Sequence, residues 1–98
     1  MSARRVHLRI TGLVQGVSYR ANTQEQARRM GVHGWVRNLP NGDVEAVAEA
    51  SSEVIERFVA WCRKGPSEAR VESVSVTEQT IDTPFEHHFE VRHSGRNS

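Results

Sequence analysis

The period at which apolar residues recur changes along this chain in the order strand, helix, strand, strand, helix, strand, and no other feature limits its possible folds so much. Val6, Leu8 and Ile10 alternate with His7, Arg9 and Thr11, which predicts a strand with one buried face. After Arg20, the positions Thr23, Ala27 and Met30 recur at helical spacing until Gly31 supplies a stop. Val32 to Asn38 and Asp43 to Ala50 read as antiparallel neighbours joined through Pro40-Asn41-Gly42, because Asn-Gly accepts the positive φ angles of a tight hairpin. Ser51 or Ser52 caps a second helix, whose apolar stripe of Val54, Ile55, Phe58, Val59 and Cys62 ends at Gly65-Pro66. Val71, Val74 and Val76 mark a fourth strand, and Phe85 to Arg92 a last one with Phe89 and Val91 on one face. Two βαβ halves joined by a hairpin predict an α+β, ferredoxin-like split β-α-β sandwich, an antiparallel sheet with both helices on one face, to which a short extra strand can be added.

A chain of 98 residues builds one core, so a single domain over residues 1–98 is expected, with its ordered part from about residue 5 to 93 and a flexible tail at 94–98. The 13 Lys and Arg against 12 Asp and Glu leave a net charge of +1, which gives no case for a nucleic acid or an acidic membrane as partner. Any anion site must therefore be local. Cys62 is the only cysteine, so no disulfide can form within the chain, and a reducing compartment fits. The first residues lead into alternation without an apolar run, so neither a signal peptide nor a membrane span is expected. The expectation is a cytoplasmic monomer acting on a small molecule.

Val14-Gln15-Gly16-Val17-Ser18-Tyr19-Arg20 lies between a strand and the first turn of a helix, where free backbone N–H groups and the positive end of the dipole favour an anion. Gly12 and Gly16 let the backbone curl, and the planar fork of Arg20 can grip two oxygens of a phosphate. By loop chemistry alone, a solvated arginine on an ordinary glycine-containing connection explains the segment as well as a phosphate cradle does. No Lys-Ser or Lys-Thr pair follows Gly16, which disfavours a P-loop, and Arg20 stands where a nucleophile elbow closes on glycine. The spacing also suggests the arginine-closed loop of cysteine-dependent phosphatases, but the nucleophile position is Val14, so water has to attack. Asn38, at the end of the second strand, can orient a water through its amide, although an asparagine before a turn is ordinarily a cap.

Gly12-Leu13-Val14-Gln15-Gly16-Val17-Ser18-Tyr19-Arg20, and Gly34-Trp35-Val36-Arg37-Asn38 with Gly42 and Val44, resemble the two signatures of the acylphosphatase family, in the same order on the same element pattern. The similarity covers almost the whole chain. It implies that Arg20 binds the phosphate, that the loop of Gln15, Gly16, Val17, Ser18 and Tyr19 supplies backbone donors, and that Asn38 positions the attacking water. Tyr19 stands where the family usually has Phe, so its hydroxyl needs a partner if buried, and Ala50 stands where the second signature usually ends in Gly.

The residues that are missing fit such a substrate. An acyl phosphate leaves as a carboxylate, with a pKa of about 4 to 5, so no general acid is needed. Phosphoryl transfer through a loose transition state asks for positioning and charge stabilisation, which leaves metal and cofactor unnecessary. His87 and His88, adjacent on a strand, face opposite ways and make a poor metal site. Cys62 reads as a buried, inert thiol, and Trp35 and Trp61 as core or rim aromatics. Arg4, Arg5 and Arg9 form a basic edge that either steers anions or is simply solvated. The competing function is a non-catalytic ferredoxin-like module that senses an anion. An RNA-binding module is weaker still, because residues 43 to 50 hold no aromatic.

Overall fold

The computed structural model of the chain describes residues 3 to 93, so the tail expected at 94–98 lies outside the described residues. Its elements are β1 (Ala3–Leu13), α1 (Tyr19–Met30), β2 (His33–Asn38), β3 (Val44–Ser51), α2 (Ser52–Lys64), β4 (Arg70–Gln79) and β5 (Glu90–Arg92). They form a five-stranded sheet in the order β4-β1-β3-β2-β5. The ferredoxin-like arrangement expected from the periodicity is the one observed. The alternation of β1 places Val6, Leu8 and Ile10 in the core, where they meet Ala48, Ala46 and Val44 of β3 across an antiparallel ladder. Helix α2 lays Ile55, Phe58, Val59 and Cys62 on that face, and α1 adds Tyr19, Thr23 and Ala27. Each large apolar side chain so buried contributes on the order of 1.5 to 3 kcal/mol, which makes this layer the main source of stability.

The local stops are the expected ones. Gly31 closes α1 with φ 76°, and Val32 N–H donates to the Ala27 carbonyl. Ser51, rather than Ser52, caps α2 by accepting from Val54 N–H. The alanine at position 50 does not disturb the backbone, since β3 runs on through Ser51 with Ala50 paired to Arg4. Gly12 is needed for close approach. The β1–β4 register shifts between Thr11 and Gly12, and a Cβ on Gly12, at φ +123°, would stand 2.1 Å from the Arg70 carbonyl oxygen. This bulge ends the regular pairing just before the chain leaves the sheet for the loop at residue 14.

Four sequence expectations need correction. The sheet is mixed, because β5 runs parallel to β2 rather than antiparallel. The chain leaves β4 on one edge and must cross to the other, and it crosses over the open face of the sheet. Arg5 fastens this crossing. It donates to the Thr83 carbonyl and stacks over the Phe85 ring, while Glu49 accepts from Phe85 N–H. Residues 85 to 89 are consequently spent on the crossing, and only Glu90–Arg92 pair as a strand. His87 and His88 thus precede β5 instead of alternating on it.

Arg4, Arg5 and Arg9 likewise form no basic edge. Strand β1 is internal, and each arginine is paired: Arg4 with Glu56 and Glu78, Arg5 with Glu49, Arg9 with Asp43. Glu45, on the same open face, is opposed by partial burial, yet bonds from His7 and Arg37 outweigh that cost and hold its carboxyl below the usual range. The open face is a lattice of compensated charges with Trp35 between Arg37 and Arg92.

Candidate active site

The two helices begin in opposite ways. Helix α2 has a side-chain cap at Ser51 and an acidic residue, Glu53, in its first turn. Helix α1 has neither: Ser18 sits at its N-cap in the left-handed region, at φ 60°, without a side-chain cap bond, and no acid stands in the first turn. Among the described residues, no backbone carbonyl accepts from the N–H groups of residues 15 to 19. Gly16, at φ +78°, turns the loop in a conformation that most side chains disfavour. An uncapped helix start with a run of spare donors favours an anion.

Asn38 reaches this place from the sheet. It ends β2 opposite Val44, which also faces Ile10 of β1, so one row of the ladder sets Asn38 two strands away from the chain that enters the loop. At about 4.8 Å per strand that is about 10 Å, a gap the loop arches across. Arg20, Asn38, Gln15, Gly16, Ser18 and Tyr19 line one half-open cavity of about 420 Å³. Val17 does not line it, being packed part-buried against the core, and so belongs to the loop through its main chain alone. The Asn38 Oδ1 is the only buried side-chain polar atom among the described residues without a hydrogen-bond partner. Leaving a buried acceptor unmatched costs about 1 to 3 kcal/mol, a cost that a ligand can relieve. Asn38 is therefore no turn cap. No carboxylate among the described residues pairs with Arg20, so its charge is not already spent inside the protein.

Sequence reasoning missed Ala21, Gln24 and Val91 on the cavity wall, where Val14 also stands. Gln24 carried a usable signal, since it stands one helical turn after Arg20 on the same face. Val91 carried none, because its place depends on the parallel pairing of β5 with β2. The Tyr19 hydroxyl is buried and donates to the Cys62 carbonyl at 2.7 Å, away from any reacting group. Burial pushes its phenol pKa up, and pushes the Cys62 thiol up to about 12, so neither ionises near neutrality. No group of three or more His, Cys, Asp or Glu side chains able to hold a metal is assembled among the described residues. No helix there is long and apolar enough to cross a membrane.

Fold and cavity together define a ferredoxin-like domain in which an uncapped helix start, an arginine and an asparagine line one cavity. A sequence model of the acylphosphatase family matches residues 6–91. The chain is 51% identical to an acylphosphatase of Syntrophus aciditrophicus over 83 residues, 85% of this chain and 86% of that one. The acylphosphatase structure from Coxiella burnetii superposes with a TM-score of 0.86 at 33% identity, covering 92% of this chain and 93% of that one. That from Bacillus subtilis gives 0.85 at 30% identity over 91% and 98%. The chain belongs to the acylphosphatase family.

Proposed function

We propose that this chain is an acylphosphatase, hydrolysing the carboxyl-phosphate anhydride of small acyl phosphates to a carboxylate and inorganic phosphate by attack of water at phosphorus. One observation carries the reading: Asn38, whose Oδ1 has no protein partner, and Arg20 line one cavity with the loop whose N–H groups are spare. The N–H groups of Gln15, Gly16, Val17, Ser18 and Tyr19, with Arg20, hold the phosphoryl oxygens. They stabilise the charge that spreads over those oxygens in the transition state. Asn38 accepts from a water and aims it at phosphorus. An amide is no base, and none is required, because an acyl phosphate dianion and water give a carboxylate and dihydrogen phosphate with protons in balance. A sensor of phosphate would use the same cradle but has no use for an asparagine with an unpaired acceptor beside it, which disfavours the non-catalytic reading. The same proposal takes the enzyme to be a metal-independent, cytoplasmic monomer; the lone buried cysteine supports the reducing compartment.

The leaving group supplies the test. The site offers no general acid, so it should release phosphate from benzoyl phosphate in the presence of EDTA and fail on alkyl phosphates, whose leaving groups need protonation and whose uncatalysed hydrolysis is among the slowest known. Phosphate release is measured for both substrates. Equal rates would end the argument from the leaving group.

A further inference from the structure

The side chain of Gln15 is already engaged. Its Nε2 donates to the Leu39 carbonyl and to the Asp43 carbonyl, each at 2.8 Å, so both of its N–H bonds are used and neither is left for a phosphate. Only the NH₂ end of an amide can face two carbonyls. The same two carbonyls close the β2–β3 hairpin, since Leu39 N–H donates to Asp43 and Gly42 N–H to Leu39. Leu39 directly follows Asn38. The ladder fixes Asn38 within the sheet, where it pairs with Val44, but β1 and β2 are not neighbours, so no ladder fixes the loop against Asn38. Among the described residues, Gln15 makes the side-chain hydrogen bonds that join the two.

We infer that Gln15 is a positioning residue: its side chain fastens the anion-binding loop to the hairpin and thereby sets the distance from Asn38 to the phosphoryl group held by Arg20. The inference rests on the roles proposed above for Arg20 and Asn38. Its backbone N–H remains a cradle donor, and the side chain acts only through geometry. Binding depends on the loop and Arg20, which the link does not form, whereas the line from water to phosphorus depends on the link. Misplacement of a reacting group by about 1 Å can cost about a hundredfold in rate.

The test is a double-mutant cycle on kcat and KM for benzoyl phosphate and on competitive inhibition by inorganic phosphate. Gln15→Met, of similar length without donors, should lower kcat by about 10- to 100-fold while the phosphate inhibition constant stays within about threefold. In the Asn38→Ala background the same change should lower kcat by less than about twofold, because the group it positions is gone. An equal loss in both backgrounds, a loss confined to phosphate binding, or wild-type kinetics in Gln15→Met would overturn the inference. Full kcat in Asn38→Ala alone would sink the reading of Asn38 instead, and the inference with it. Retained phosphate inhibition reports an intact cradle, and Gln15→Leu replaces the methionine variant in the cycle should that one not fold.

Discussion

In Arg20→Ala, inorganic phosphate no longer inhibits at millimolar concentration, and kcat/KM for benzoyl phosphate falls by about three to five orders of magnitude, the range seen when an arginine that stabilises a transferring phosphoryl group is lost. The size follows from what else is in the cavity. Among the described residues no other charged side chain lines it, so Arg20 supplies the side-chain positive charge there. The backbone donors remain, but they give partial charges without the paired fork that fits two oxygens. Arg20→Lys should recover only a small part, since an ammonium is a point charge on a shorter reach. Stability should hardly move, because the guanidinium has no partner to lose among the described residues. Wild-type inhibition by phosphate in the alanine variant would remove Arg20 from the site.

Asn38→Ala should separate binding from rate. Phosphate inhibition stays within about threefold of wild type while kcat drops by about two to three orders of magnitude, as expected for one preorganised contact made in the transition state. The variant carries a second signature. Deleting a buried acceptor that has no protein partner removes its desolvation cost, on the order of 1 to 3 kcal/mol, so the midpoint of thermal unfolding should rise. A residue that serves only as a turn cap would do the reverse, with stability falling and kcat unchanged. Measuring kcat and thermal unfolding on the same preparation distinguishes the two.

Much of this was legible in the sequence, for reasons that can be traced to particular residues. Val6, Leu8 and Ile10 gave β1 because the sheet buries one face only, and Gly31 and Ser51 ended and began helices because their backbone and side-chain chemistry act locally. Arg20 and Asn38 were identifiable because their motifs sit at the ends of elements that the periodicity had already drawn. The crossing of residues 80 to 89 was not, since it depends on Arg5, Glu49 and Phe85, which are distant in sequence and meet only on the folded sheet. Phe89 shows the same limit. It looked like one more strand residue, but it enters the core against Phe58, and its carbonyl is held by Gln24 and Arg28. The Tyr19 hydroxyl and the Gln15 amide both bond to backbone carbonyls, and a sequence does not display where carbonyls lie. For Gln15 the motif points to the main chain as a donor, and only the fold shows that the side chain bonds to the Leu39 and Asp43 carbonyls.

The proposed reaction requires water to reach phosphorus, rather than the acyl carbon, inside the cradle. A single turnover of benzoyl phosphate in water enriched in oxygen-18, followed by mass spectrometry of both products, reads this directly. Attack at phosphorus places the label in inorganic phosphate and leaves the benzoate unlabelled. Label in the benzoate would mean that the carbonyl is the electrophile, and that the arrangement of Arg20 and Asn38 around a phosphoryl group does not describe the reaction.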